Sequence, residues 1–140
     1  MGHEFLECRV PSDLAEPQDL CGELLSGDVT CLDSDLEVRA ALALLDASGV
    51  PSAPVVDDNS VLVGVVSTRR LARLRDARGA EVDDAMDTDV ISVSERAPIA
   101  EVARLVARHS LERVPVVTHD GHLVGMLTAT DLVRWFASRL

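Results

Sequence analysis

A repeat constrains this chain more than any other feature. Shifted by 61 positions, the sequence aligns Asp28–Leu71 with Asp89–Leu132 without a gap, and ten of the 44 pairs are identical. They include Pro54-Val55-Val56 with Pro115-Val116-Val117, Gly64 with Gly125, and Leu71 with Leu132, while Val38 with Ile99 and Ser67 with Thr128 are conservative. A repeat of this kind means one supersecondary unit used twice. In a chain of 140 residues each copy is too small to bury a sheet alone, so the two must share a core.

Periodicity then divides each copy. In the first, Pro17–Ser26 reads as a short helix, Asp28–Leu32 as a brief strand, and Ser34-Asp35-Leu36-Glu37 as a capping box opening a helix. That helix buries Val38, Ala41, Leu42 and Leu45, spaced i, i+3, i+4, i+7, and ends at Gly49. Ala53–Val56 and Val61–Val66 form a hairpin, followed by a helix from Thr68 to about Ala77. The second copy repeats the order: a short helix Val82–Asp87 and a strand Val90–Val93 come first. A helix opened by Pro98 at N1 then buries Ile99, Val102, Ala103 and Val106. A hairpin Val114–Val117 and His122–Leu127 and a last helix from Ala129 toward Arg139 complete it. The expected fold is α+β, two pseudo-symmetric β-α-β-β-α repeats packed sheet to sheet, with a tail at 1–16, one repeat at 17–78 and the other at 79–140.

The stretch Gly125-Met126-Leu127-Thr128-Ala129-Thr130-Asp131 is a strand running into a helix. Thr128 suits the N-cap and Asp131 the N3 position of a capping arrangement. The same residues suit a phosphate-and-ribose site, because a helix start offers unpaired N–H groups to an anion and a carboxylate beside it accepts bonds from a vicinal diol. The matched stretch, Gly64-Val65-Val66-Ser67-Thr68-Arg69-Arg70, keeps a hydroxyl at Ser67 but has Arg70 in place of the acid. A guanidinium has no acceptor.

Composition removes several function classes. The net charge of −11 disfavours nucleic acid, whose binding draws on phosphate neutralisation. Three aromatic residues, Phe5, Trp135 and Phe136, make no stacking platform for single strands. No apolar run is long enough to span a bilayer, and no secretory apolar segment opens the chain. Cys8, Cys21 and Cys31 lack metal-like spacing and read as reduced thiols of a cytoplasmic protein. His119 and His122 flank the second hairpin turn without a third ligand, so no metal site is expected. Arg69, Arg70, Arg73, Arg75 and Arg78 form a basic stretch ahead of the acids Glu81, Asp83, Asp84, Asp87 and Asp89, which reads as a solvated face or a partner-docking surface. A nucleophile elbow, a phosphate-binding loop, a zincin helix and a dinucleotide fingerprint are all missing, so the chain is not expected to be an enzyme.

These residues carry a resemblance. Val82-Asp83-Asp84-Ala85-Met86 followed by Asp89-Val90-Ile91-Ser92-Val93, then Arg113-Val114-Pro115-Val116-Val117, then Gly125–Asp131, resemble the successive motifs of the cystathionine-β-synthase (CBS) domain, here as a tandem pair or Bateman module over about Pro17–Ser138. The resemblance implies a regulatory fold without chemistry of its own. Such a fold binds adenosyl compounds (AMP, ADP, ATP or S-adenosylmethionine) in a cleft between repeats, with no further cofactor. Carried onto this sequence, it implies that Asp131 holds the ribose hydroxyls, Thr128 and Arg113 meet phosphate, and Val90, Ile91, Val114 and Pro115 line an adenine slot, with backbone near Ile91 reading the base edge. The matching site of the first repeat, with Val29, Thr30, Ala53, Pro54, Ser67 and Arg70, is degenerate, and Arg70 is expected to make a surface ion pair or to block it. The resemblance also implies a homodimer through helices, for which Trp135 and Phe136 on the last helix are candidates, and a regulated partner that the sequence does not name. The alternative is a ligand-free dimerisation or scaffold module.

Overall fold

A computed structural model describes residues 19–25 and 29–140. Cys8 and the tail at 1–16 lie outside the described residues. The elements are a 3-10 turn Cys21–Leu24, β1 Leu32–Asp33, α1 Val38–Ser48, β2 Ser52–Val56, β3 Leu62–Ser67, α2 Thr68–Arg73, α3 Val82–Ala85, β4 Val93–Ser94, α4 Ile99–His109, β5 Arg113–Val117, β6 Leu123–Thr128 and α5 Ala129–Ala137. They build two three-stranded sheets of order β1-β2-β3 and β4-β5-β6, each with helices, as an α+β fold. No helix among the described residues is long and apolar enough to cross a membrane.

Contacts divide the chain into two compact units. One comprises residues 29–91 with His119–Leu123; the other comprises residues 19–25, Ser92–Thr118 and Val124–Leu140. The core of the first is Leu32, Val38, Ala41, Leu45, Ala53, Val55, Val66, Leu71, Val82 and Ala85. The core of the second is Cys21, Val93, Ile99, Val102, Val106, Val114, Val116, Leu127 and Leu132. The helical stripes read from the sequence supply both cores, with Leu42 and Ala103 packed at their margins.

The opening turns are exchanged between the sheets. Cys21 and Gly22 donate their N–H groups to Ala97 and Glu95 at 2.9 and 3.0 Å, so the turn ahead of β1 in sequence packs in the unit that holds β4. Val82 and Asp83 donate to Leu36 and Ser34 at 2.8 and 2.9 Å, so α3, ahead of β4 in sequence, packs in the unit that holds β1. Each of these donors and acceptors has its counterpart 61 positions away.

That exchange explains the first of several departures from the sequence reading. The expected capping box at Ser34 does not form; Glu37 is the N-cap of α1 and makes no side-chain cap. The carbonyls of Ser34 and Leu36 are held by α3, and Val38 donates to Ala80, which keeps residues 34–36 out of the helix. The short helix of the second copy stops at Ala85 instead of including Met86. Asp87 exchanges both backbone bonds with Val65, at 3.0 and 2.8 Å, and pulls the chain into an extended path. Pro98 is the N-cap of α4 rather than N1. Strands β1 and β4 begin later than expected, since register pairs only Leu32 with Val55, Asp33 with Val56, Val93 with Val116 and Ser94 with Val117. α2 ends at Arg73 rather than near Ala77.

Two helix ends show the pseudo-symmetry at backbone level. Gly49 caps α1 with φ 69°, and Ser110, 61 positions on, caps α4 with φ 53°. Only glycine takes that left-handed conformation without a Cβ penalty.

Candidate functional site

The site predicted around Thr128 takes shape where β6 runs directly into α5. Thr128 is extended (φ −103°, ψ 158°) and serves as N-cap. Asp131 donates its N–H to Thr128 Oγ1 at 3.0 Å, and Thr128 donates its N–H to Asp131 Oδ2 at 2.9 Å, a reciprocal capping box. Ala129 donates to the Glu112 carbonyl at 2.9 Å. Of the first-turn N–H groups, that of Thr130 alone has no partner among the described residues. Asp131 Oδ1 is likewise open, and the Thr128 hydroxyl keeps its own proton to donate. Both side chains are half-buried. An acceptor, a hydroxyl and a helix-terminal N–H therefore converge on one turn, the donor set suited to a diol beside an anion.

The Glu112–Ala129 bond brings the start of β5 beside this turn, and Arg113, the first residue of β5, is half-buried there. Val114 and Val116 are fully buried in the core of the unit. The Val114 side chain is therefore closed to any ligand. Pro115 has the opposite strand parity and is buried too. A proline is out of place in a middle strand, because it cannot donate to the ladder. Here β4 is two residues long and pairs only with Val116 and Val117, so Arg113–Pro115 have no parallel partner. The same holds for Pro54 in β2, since β1 reaches only Val55 and Val56. Val90 and Ile91 precede β4, belong to no strand, and are half-buried and 37% exposed respectively. Contacts group them with the other unit.

The matching residues of the first repeat have a different use. Ser67 caps α2 by accepting from Arg70 N–H at 3.1 Å, and Thr68 donates to Pro51, the counterpart of the Glu112–Ala129 bond. Pro54 is buried and Thr30 half-buried. Arg70 does not make the expected surface ion pair among the described residues: its Nε donates to the Ala85 carbonyl at 2.8 Å and ties α2 to the end of α3. Where Asp131 closes a capping box on its own turn, Arg70 reaches across to another element.

The sequence did not single out Glu112 or the Thr130 N–H, because both act through backbone. Elsewhere, His119 pairs with Asp120 at 3.1 Å on the surface, and no group of His, Cys, Asp and Glu able to hold a metal occurs among the described residues. Cys21 is buried and donates to the Ser94 carbonyl at 3.1 Å; burial pushes its thiol up to about 11. Cys31 is exposed, and its thiol is also raised, by partial burial and then by Asp33. Trp135 and Phe136 meet edge to face at 4.9 Å against their unit's core, and Arg139 lies over the Trp135 ring at 4.0 Å while reaching Asp19.

Comparison with known proteins places these residues in context. The family model of the CBS domain matches twice, at residues 21–76 and 82–138. The uncharacterised protein YlbB of Bacillus subtilis is 36% identical over 116 residues, covering 79% of this chain and 77% of YlbB. Inosine-5'-monophosphate dehydrogenase of Thermoplasma acidophilum is 33% identical over 106 residues, covering 76% of this chain but only 21% of the enzyme, so the chain spans about a fifth of that relative. Among solved structures, CBSX2 in complex with AMP is 30% identical with a TM-score of 0.75, covering 86% of this chain and 97% of that one. The CBS domain pair of MJ0100, in complex with 5'-methylthioadenosine and S-adenosyl-L-methionine, is 25% identical with a TM-score of 0.71, covering 89% and 100%.

Proposed function

This chain belongs to the CBS-domain family as a tandem pair, and from that premise we propose that it is a regulatory module that binds an adenosyl compound and transmits its presence to a partner protein. The observation that carries the reading is the turn at Thr128–Asp131. Its capping box uses one carboxylate oxygen and leaves the other, with the Thr128 hydroxyl and the Thr130 N–H, directed to no protein group among the described residues. In this reading Asp131 Oδ1 accepts the ribose hydroxyls, Thr128 and the Thr130 N–H meet the phosphate or carboxylate of the ligand, and Arg113 adds a forked donor for phosphate. The Val114-Pro115 backbone takes the base-lining role that the resemblance implies. AMP and S-adenosyl-L-methionine in the two solved relatives support the adenosyl class.

The first repeat takes no such ligand in this account. Its acceptor is replaced by Arg70, which is committed to Ala85, and α2 has six residues. We place the module in the cytoplasm, where the free thiols of Cys21 and Cys31 remain reduced.

A scaffold reading is favoured by one feature, Val133, which is 66% exposed on α5. We propose that this flank joins a homodimer whether or not ligand is present.

A thermal-shift screen of AMP, ATP and S-adenosylmethionine against guanosine nucleotides tests the reading. At a hundredfold excess over Kd an adenosyl ligand stabilises by about 2.7 kcal/mol, a melting shift on the order of 5–10 °C for a domain of this size. No shift with any adenosyl compound would leave only the scaffold reading.

A further inference from the structure

One seat is built twice in this chain with different chemistry. Gly64 of β3 and Gly125 of β6 are 61 positions apart, and each leaves side-chain space on its strand that another residue fills. At Gly125 the filler is Leu25, whose Cδ1 lies 3.0 Å from where a Cβ would stand. At Gly64 it is Met86, whose Sδ and Cγ lie 2.8 and 3.0 Å from that point. Leu25 and Met86 are themselves 61 positions apart. One copy thus seats an aliphatic group and the other a thioether.

The thioether seat is crowded, and the backbone donors around it are taken. Met86 is the C-cap of α3 and packs at the margin of its unit's core. Its N–H donates to the Val82 carbonyl at 2.9 Å. Asp87, next in the chain, exchanges both backbone bonds with Val65, the neighbour of Gly64. The Asp87 carbonyl also lies 2.9 Å from the Gly64 Cβ position. The sulfur therefore has strand backbone on one side and an acceptor oxygen close by, while the N–H groups of Val65, Met86 and Asp87 are all engaged. Met86 is half-buried rather than sealed, so a small oxidant reaches it from solvent.

We propose that Met86 is a reversible oxidation site through which a peroxide loosens the unit that holds β1. The thioether sulfur attacks one peroxide oxygen. The S–O bond forms as the O–O bond breaks, and the second oxygen leaves as water with the proton of the first. The sulfur loses two electrons and the peroxide gains them. The sulfoxide is larger and polar, and its oxygen calls for a donor that the backbone of the seat does not supply. Unseating it from Gly64 frees the end of α3 and the Val65–Asp87 pair, which hold the chain on its way to β4. A sulfoxide reductase using a dithiol removes the oxygen as water, oxidises the dithiol to a disulfide and restores the seat. Leu25 has no sulfur, so the response is confined to one of the two seats. Met126, also half-buried, stands on β6 at the position of Val65 and is the internal control.

The test uses the full chain without nucleotide, so the ligand site does not enter it. Folded protein is treated with hydrogen peroxide and then with dithiothreitol, which returns disulfides and sulfenic acids to thiols and leaves methionine sulfoxide in place. Peptide mass spectrometry locates the sulfoxide. Met86 sulfoxide forms, lowers the melting temperature by about 5 °C or more, and speeds exchange of the Val65 and Asp87 amides by about tenfold or more. Methionine sulfoxide reductase with dithiothreitol reverses all three changes. Met86→Leu, which copies the Leu25 seat, melts close to untreated wild type and does not respond. Met126→Leu responds in full, so the result does not hang on one variant folding. Met86 left unoxidised while Met126 or free methionine is converted, Met86 sulfoxide with unchanged melting and exchange, or an equal loss in Met86→Leu would each overturn the proposal.

Discussion

Asp131 and Thr128 hold each other at the start of α5, the N–H of each donating to the side-chain oxygen of the other at 3.0 and 2.9 Å. The arrangement is a complete helix cap, and as a cap alone it would need no ligand. Two substitutions separate the roles. Asp131→Ala removes the acceptor for the Thr128 N–H and should cost about 1 kcal/mol of stability. Asp131→Asn keeps a carbonyl oxygen for that bond and should stay within about 0.5 kcal/mol of wild type, while losing the charge and one acceptor that a diol needs. Urea unfolding of both variants checks this; equal losses would mean that the carboxylate charge itself holds the turn.

The strand glycines at matched positions should respond differently to a methyl group. A Cβ at Gly64 would lie 2.8 Å from Met86 Sδ and 2.9 Å from the Asp87 carbonyl, which is fixed by its bond to Val65. A Cβ at Gly125 would meet the end of the Leu25 side chain at 3.0 Å, a group able to shift. Gly64→Ala should therefore destabilise by about 2–3 kcal/mol and Gly125→Ala by about 1 kcal/mol. Denaturant midpoints decide it, and equal costs would contradict the rigid seat of Met86 and Asp87 on β3.

Alkaline stability isolates a thiol. The chain has no tyrosine and no lysine, and arginine does not titrate in this range, so the cysteines are its side chains that ionise between pH 9 and 11. Cys21 ionises near its ordinary 9.0 when unfolded but only near about 11 when buried. Its contribution is fully present below pH 9, because both states then hold the proton. It is lost as pH rises toward 11, because the unfolded chain releases the proton first. Stability of the wild type should fall across that window, and the fall should be shallower in Cys21→Ala. Parallel pH profiles would show that Cys21 opens to solvent in the folded protein.

Assembly is tested by light scattering at micromolar concentrations. We expect a dimer that Val133→Glu disrupts, since Val133 is 66% exposed on α5. A monomeric wild type would refute the dimer.

Much of this molecule is written locally in the sequence. The 61-residue offset, the stripes of α1 and α4, the two hairpins, the Gly49 stop and the Thr128–Asp131 cap depend on residues close together, and each is where its spacing places it. The parts that were not legible depend on distant partners. Ser34 and Glu37 have the spacing of a capping box, but the Ser34 carbonyl is taken by Asp83, 49 positions away. Arg70 reads as a lost acceptor, and its use becomes visible only once the Ala85 carbonyl is beside it. The burial of Val114 follows from strand parity, yet its consequence for a ligand depends on how short β4 is.

Calorimetric titration of AMP into wild type, Asp131→Asn and Arg70→Ala tests the central claim most directly. The account predicts one site per chain in the wild type and an affinity about 10- to 1,000-fold weaker in Asp131→Asn, from charge-assisted bonds of roughly 1.5–3 kcal/mol each. It predicts little change in Arg70→Ala, whose guanidinium serves Ala85. Two equal sites per chain, or undiminished binding by Asp131→Asn, would contradict it.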